Sequence, residues 1–361
     1  MYRSFRVRNF RCFRDLSIAE LQRVNLIAGV NNVGKTALLE ALFLHCGATN
    51  PALTMSLNAF RGIESVKVEF GTWVETPWDS FFANFDTSGA VELEGENEAT
   101  GHRRLALRVV RDAEELARIG RVGEHEPDAS SGAPLTSDAP QVLGLDYEDG
   151  SGRRGSQYLV ADPKGIRLKS FPAPPPFPAV FLGSRIRIRP ADDAERFSNL
   201  EVKGQQGLLT GILQIVEPRL RRVAVVVSAG APVLQGDVGL GRLVALPLMG
   251  EGMVRLASLA LAIANMPKGV VLVDEIENGL HHALLTKVWQ AVGEVAQQFN
   301  VQVFATTHSF ECIAAAHEAF SMGGSYDFAL HRLERVNGTI RAVRYEQATL
   351  AAAIETGLEV R

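Results

Sequence analysis

A glycine-rich segment near the N-terminus has the residue types and spacing of a phosphate-binding loop. Four residues separate Gly29 from the triplet Gly34-Lys35-Thr36, which gives the pattern GxxxxGK[ST]. Glycines let the backbone curl so that successive N–H groups surround a phosphate, Lys35 supplies a positive charge, and Thr36 offers a hydroxyl to Mg²⁺. The segment predicts a nucleoside triphosphate site formed by Gly29, Asn31, Asn32, Val33, Gly34, Lys35, Thr36 and Ala37.

The flanking segments have the secondary structure that such a loop requires. An apolar run at residues 24–28 predicts a buried strand before the loop, and the apolar stretch 37–44 predicts a buried helix after it. The alternative is an ordinary glycine turn with Lys35 in solvent. The complete pattern between a strand and a helix favours phosphate binding.

A second apolar strand ends in two carboxylates. Residues 270–273 are Val-Val-Leu-Val, and Asp274 and Glu275 follow directly. Asp274 is the expected partner of Thr36 at Mg²⁺, and Glu275 is placed to polarise an attacking water as a general base. The alternative is a buried strand that ends in an acidic surface turn. The complete phosphate-binding loop in the same chain favours the metal site.

Several further segments carry a family resemblance. They are the opening Phe5-Arg6-Val7-Arg8-Asn9-Phe10-Arg11-Cys12-Phe13, the loop 29–36, Gly250-Glu251-Gly252-Met253, the run Asp274-Glu275-Ile276-Glu277-Asn278-Gly279-Leu280-His281, and Thr306-Thr307-His308-Ser309. Together these resemble the ATP-binding-cassette (ABC) ATPases, in particular the branch with RecF, SMC and the OLD (overcoming-lysogenisation-defect) proteins.

The resemblance implies an α/β P-loop NTPase fold, an ABC-type ATPase head with a mostly parallel sheet flanked by helices. It also implies a homodimer in which ATP and Mg²⁺ sit on the loop of one subunit, capped by Gly250 and Glu251 of a second. Residues 277–280 would lie at the dimer contact. The implied catalytic residues are Lys35, Glu275 and His308, with His308 sensing the γ-phosphate.

Two positions depart from that family pattern. The signature normally has a serine two residues before its glycine, but Leu248 stands there, which predicts weaker capping and slow turnover. A glutamine for the Q-loop cannot be placed. Ser184, after the apolar strand 179–182, either takes that role or belongs to an ordinary turn at a strand end.

The chain divides into an ATPase domain and an insertion. Residues 1–58 and 179–361 are predicted to form the ATPase domain, in which helices alternate with apolar strands, including one at 223–227. Residues 59–178 are predicted to be a β-rich insertion, because short alternating segments such as 66–70 and 105–110 suit an antiparallel sheet. The polar stretch 123–140 is predicted to be a mobile loop. Residues 327–345, with Asn337-Gly338 at their centre, predict a C-terminal hairpin.

Composition excludes some classes of partner and leaves others open. The 361-residue chain has a net charge of -4, so any DNA contact must come from a local patch. No apolar run is long enough to cross a membrane, and three widely spaced cysteines suggest neither disulfides nor zinc, so a cytoplasmic location is expected. DNA contact is left open for two alternating sets of arginines, Arg3, Arg6, Arg8, Arg11 and Arg14, and Arg185, Arg187 and Arg189.

Two functions are compatible with these features. The first is an ATP-driven dimer switch that gates DNA or an effector protein in anti-phage defence or DNA maintenance. OLD relatives carry a C-terminal Toprim nuclease domain, and the resemblance implies that here a separate protein supplies it. The alternative is a low-turnover nucleotide-sensing scaffold that holds a partner protein. A P-loop kinase is a weaker third candidate, because no acceptor lid is recognisable.

Overall fold

The computed structural model describes residues 1–61, 76, 78–121, 141–162, 165–169, 173–184 and 189–361. The predicted strand at 66–70, the predicted loop at 123–140, and Arg185 and Arg187 lie outside the described residues. The strands are β1 Tyr2–Phe10, β2 Phe13–Ala19, β3 Val24–Ala28, β4 Val91–Asn97, β5 Gly101–Val110, β6 Gln141–Glu148, β7 Arg154–Asp162, β8 Gly165–Leu168, β9 Ala179–Leu182, β10 Arg222–Ser228, β11 Ala231–Asp237, β12 Val244–Ala245, β13 Val270–Val273, β14 Gln302–Thr306, β15 Phe328–Val336 and β16 Thr339–Tyr345.

Nine α-helices lie in the described residues, and all except α3 begin outside the predicted insertion at 59–178. They are α1 Lys35–Cys46, α2 Ala52–Phe60, α3 Ala113–Arg121, α4 Pro190–Val202, α5 Gln206–Leu213, α6 Glu251–Ala264, α7 Leu285–Gln298, α8 Phe310–Ser321 and α9 Gln347–Glu355. No helix in the described ranges is both long and apolar enough to span a bilayer.

The central sheet is mixed and mostly parallel, which confirms the predicted α/β class. Its strand order is β16-β15-β3-β14-β13-β9, and only β16 runs antiparallel to its neighbour. Strands β3, β13 and β14 are buried along their whole length, as their mainly apolar sequences favour. The predicted C-terminal hairpin is confirmed as β15 and β16, and β15 pairs with β3.

The second sheet joins the N-terminus to the predicted insertion. Its order is β2-β1-β4-β5-β6-β7-β8, with Val7 of β1 opposite Leu93 of β4. The division at residues 58 and 179 stays a prediction, but β4–β8 continue the sheet that β1 and β2 begin. Sequence alternation identifies such strands without identifying the strand that pairs with each one.

Helix α1 lies between the two sheets, and this position explains its composition. It contacts β1 and β4 on one side and β9, β13 and β14 on the other. Leu38, Leu39 and Leu44 are therefore buried although they lie on different faces of the helix. A helix covered on all sides has no polar face.

The opposite face of the central sheet is covered by α6, α7 and α8, whose apolar residues form one large core with the inward side chains of β3, β13 and β14. The prediction that the strand at 223–227 belongs to the parallel sheet is wrong. That strand is β10, which forms a separate antiparallel sheet with β11 and β12. A two-residue turn separates β10 from β11, so the two strands pair as a hairpin.

Candidate functional site

The phosphate-binding loop has a backbone that only glycine tolerates at its critical position. Gly34 directly precedes α1 with φ of 104°, and Gly29 and Asn32 also have positive φ. A Cβ on Gly34 would lie 2.7 Å from both Cys12 Sγ and the Phe13 ring. The turn between β1 and β2 thus presses against the loop, so any larger residue at position 34 would clash as well as strain the backbone.

Lys35 is the first residue of α1, and its buried side chain reaches back into the loop. Its Nζ donates to the carbonyls of Gly29 and Val30, at 2.7 and 3.1 Å. Burial lowers the pKa of Lys35, while Asp274 and Glu275 act in the opposite direction. The ammonium group is therefore held inside the curl of the loop, where a bound phosphate is expected.

Three hydroxyl groups converge on the buried carboxylate of Asp274. Thr36 donates to both of its oxygens at 3.1 and 3.2 Å, Ser184 donates to Oδ2 at 3.0 Å, and Thr306 donates to Oδ1 at 2.7 Å. The four residues come together because β9, β13 and β14 are parallel neighbours that end at the same edge, next to the start of α1. A carboxylate with several hydroxyl oxygens fits the ligand preference of Mg²⁺.

Glu275 follows in a constrained conformation. Its φ is 49°, and its backbone N–H donates to Thr306 Oγ1 at 2.8 Å. Asn278 Nδ2 donates to Glu275 Oε2 at 2.7 Å, while Oε1 lies 4.0 Å from His308 Nδ1. The second carboxylate oxygen is thus held by an amide, and the first faces the histidine.

His308 follows β14 and is half-exposed beside the two glutamates. Its Nδ1 lies 3.4 Å from Glu277 Oε1, and its backbone N–H donates to the same oxygen at 3.1 Å. The fold therefore brings His308, Glu275 and Asp274 to one edge of the central sheet, with Lys35 and Thr36 at the start of α1.

The glycine segment before α6 is not joined to the phosphate-binding loop by hydrogen bonds or ion pairs among the described residues. Gly250 has φ of 117° and precedes Glu251, the first residue of the helix. None of the hydrogen bonds or ion pairs in the described part of the chain joins Gly250 or Glu251 to the phosphate-binding loop. One turn further on, Arg255 Nη2 donates to the Asp274 carbonyl at 2.7 Å. Arg255 stands in none of the segments that carry the family resemblance. Asn278 and Thr306 do stand in them but had no assigned role, and the signal for Thr306 was its position at a strand end beside His308.

Four of the five N-terminal arginines are paired with carboxylates of the same chain, and no ion pair of Arg14 is found among the described residues. Arg3 pairs with Glu98, Arg6 with Asp15, and Arg8 with Glu92 and Glu94, across neighbouring strands of the second sheet. Part-buried Arg11 pairs with Glu40 of α1 at 2.6 Å, and Arg189 pairs with Asp192. Acidic neighbours thus offset much of the positive charge of the arginines that were considered for DNA contact.

A protein-family model matches most of the chain. The model, described as "AAA domain, putative AbiEii toxin, Type IV TA system", covers residues 24–313 and so includes the loop, both acids and His308. The chain belongs to this family. It is a P-loop ATPase of the AAA/ABC type.

Two relatives of this AAA-domain family member are distant in sequence. An "ATP/GTP phosphatase" of Helicobacter pylori is 22% identical over 330 residues, which is 87% of this chain and 86% of the relative. An uncharacterized protein of Methanocaldococcus jannaschii, MJECL10, is 25% identical over 154 residues, covering 39% of this chain and 68% of the relative.

Solved structures with a similar fold are heads of SMC proteins. An SMC head bound to the C-terminal winged-helix domain of ScpA has a TM-score of 0.50 at 12% identity, covering 98% of this chain and 99% of that one. An SMC head with an extended coiled coil, bound to the C-terminal domain of ScpA from Pyrococcus furiosus, has a TM-score of 0.51 at 11% identity and covers 98% of each chain. The shared fold is that of an SMC-like P-loop ATPase head.

Proposed function

We propose that this chain binds ATP with Mg²⁺, hydrolyses it slowly as a homodimer, and thereby gates a separate effector protein or DNA. The observation that carries the proposal is the convergence of the Thr36, Ser184 and Thr306 hydroxyls on Asp274. Beside it stand an acid and a histidine, Glu275 and His308. Nucleotide binding by the loop does not need this acid and histidine, so their presence beside it supports hydrolysis.

In this proposal each residue of the site has a defined role. Backbone N–H groups of the loop and the ammonium group of Lys35 bind the β- and γ-phosphates. Thr36 and Asp274 hold Mg²⁺, with Ser184 as a further hydroxyl at the same carboxylate. The ion neutralises charge on the β and γ oxygens when it is bound. Glu275 takes the proton of the attacking water, and His308 contacts the γ-phosphate.

A second copy of the chain would complete the site. The segment Gly250-Glu251 makes no hydrogen bond or ion pair with its own phosphate-binding loop in the described residues, and Gly250 has open space around it. The N-terminus of α6 favours anions, which suits a γ-phosphate held by another subunit. Leu248 is 81% exposed beside it and offers no hydroxyl, which supports slow turnover.

The effector and the cellular role rest on the resemblance to RecF, SMC and OLD proteins. A Toprim-type nuclease is the proposed effector, in anti-phage defence or DNA maintenance. The family description names a toxin of a toxin–antitoxin system, which supports action together with a second protein. The three cysteines are free thiols, which supports a reducing cytoplasm. A scaffold that holds its partner with little turnover is the second candidate, and Leu248 is the residue that favours it.

The experiment is phosphate release with and without DNA, in Mg²⁺ and in EDTA. We expect slow Mg²⁺-dependent release by the wild type and none by Lys35→Ala. Lys287→Ala is the control, because Lys287 is exposed on α7 away from the loop. ATP binding without any release under all conditions would favour the scaffold, and absence of ATP binding would contradict both candidates.

A further inference from the structure

Glu277 is the first residue of the proposed dimer contact at 277–280, yet its side chain turns inward. It is 11% exposed. Its Oε1 accepts a hydrogen bond from Thr307 Oγ1 at 2.7 Å and another from the His308 backbone N–H at 3.1 Å. His308 Nδ1 lies 3.4 Å from the same oxygen. One carboxylate oxygen therefore faces three donor positions on two consecutive residues.

The three contacts of Glu277 Oε1 need an acceptor oxygen and do not need a negative charge. A neutral amide oxygen would accept from Thr307 and from the backbone equally well, and burial of a carboxylate is costly. The other oxygen, Oε2, is buried and has no hydrogen-bond partner, so it does not offset that cost. The charge itself acts on Arg255 and Lys35, where it opposes the lowering of their pKa by burial, whereas the ring of His308 needs only the acceptor Oε1.

The ring of His308 has two different edges. Glu277 Oε1 and Glu275 Oε1 lie 3.4 and 4.0 Å from Nδ1, so both neighbouring carboxylates stand on that edge. Glu277 Oε1, the nearer of the two, is within reach of a hydrogen bond and favours a hydrogen on Nδ1 whether the ring is neutral or charged. Nε2 is on the opposite edge of the ring.

We propose that Glu277 is the positioning residue for His308. It anchors the backbone N–H, fixes the ring, and keeps the hydrogen on Nδ1, so that Nε2 is the nitrogen presented to the γ-phosphate. The contact of Nε2 with the γ-phosphate rests on the proposed ATP hydrolysis. The ring tautomer depends only on contacts within the nucleotide-free chain. Glu277 acts through His308 and does not touch the nucleotide.

The direct test measures the protonated ring nitrogen of His308 by ¹⁵N NMR in the nucleotide-free protein, with His308→Gln used for assignment. We expect Nδ1–H in the wild type and the ordinary Nε2–H form as the major species in Glu277→Ala. Glu277→Gln should keep Nδ1–H, because its amide oxygen still accepts. The matched control is Glu318→Ala, since Glu318 also accepts from a threonine hydroxyl, that of Thr286, and has no contact with His308.

Kinetics of ATP hydrolysis give the second readout. We expect kcat to fall about tenfold or more in Glu277→Ala, while KM for ATP stays within about twofold and Glu277→Gln recovers most of the loss. Glu318→Ala should match the wild type. A structural defect alone would lower both Glu277 variants together and would not move the tautomer.

The two proposals fail in distinguishable ways. An Nε2–H ring in the wild type, or an unchanged ring in Glu277→Ala, overturns the role of Glu277 even if ATP is hydrolysed. A wild type that hydrolyses no ATP overturns the proposed function, and the NMR result still decides the role of Glu277. If Glu277→Ala does not fold, the tautomer of the wild type is the deciding measurement.

Discussion

Thr306 donates a hydrogen bond to Asp274 through its hydroxyl, with 2.7 Å between Oγ1 and Oδ1. The same hydroxyl accepts from the backbone N–H of Glu275 at 2.8 Å. Thr306 is the last residue of β14, and the two acids directly follow β13, its parallel neighbour. One side chain therefore fixes both the proposed magnesium ligand and the proposed general base.

Replacing Thr306 by valine keeps the shape and removes the hydroxyl. We expect affinity for Mg²⁺ to fall about tenfold and kcat to fall with it, because Asp274 and Glu275 lose their common partner. The free energy of unfolding should fall by about 1 to 3 kcal/mol, since the Glu275 N–H is left unpaired. Mg²⁺ titration of ATP turnover and urea unfolding measure the two effects. Thr306→Ser should stay close to wild type, and a valine variant that does the same would contradict this role.

Leu248→Ser restores the hydroxyl that the family signature normally carries. Leu248 is 81% exposed, so the free energy of unfolding should change by no more than about 0.5 kcal/mol. We expect faster ATP turnover, because the serine adds a ligand for the γ-phosphate of the other subunit. Leu240→Ser is the control, since Leu240 is 66% exposed and lies outside the signature. Equal turnover of all three proteins would show that position 248 does not limit the reaction.

His45, near the C-terminal end of α1, makes stability depend on pH. Its Nδ1 lies 2.8 Å from the Tyr2 hydroxyl and its Nε2 lies 3.1 Å from the Arg103 carbonyl. Burial lowers the pKa of His45 to about 3, and the charge of Arg103 acts in the same direction. The unfolded chain takes up its proton near pH 6.5, so this contribution is present above pH 6.5 and is lost as pH falls towards 3.

We expect the free energy of unfolding to fall by about 2 to 3 kcal/mol between pH 7 and pH 4.5 from His45 alone. Burial also lowers the pKa of His331, to about 4, so some acid sensitivity persists without His45. Urea midpoints against pH should show a flatter curve for His45→Gln. His102→Gln is the control, because His102 is exposed. Parallel curves for His45→Gln and wild type would contradict the buried neutral state.

The sequence predicted the parts of this site that follow local rules. The loop 29–36 lies between a strand and a helix as expected, because the spacing of glycines and Lys35 carries its own structural context. The pairing of Arg6 with Asp15 and of Arg8 with Glu92 could not be predicted, since it depends on which strands are neighbours. Arg255 escaped prediction for the same reason, because its partners are backbone carbonyls far along the chain. The residues named as site ligands stay predictions until a nucleotide is bound.

The mass of Glu275→Gln in solution tests the composite ATP site most directly. Glutamine keeps the shape of Glu275 and can accept from Asn278, but it cannot take a proton from water, so bound ATP should persist. Light scattering should show a monomer without nucleotide and a dimer with ATP and Mg²⁺, and the additional change Lys35→Ala should restore the monomer. A mass that does not respond to ATP, in a variant shown to bind ATP, would contradict the proposed dimeric site.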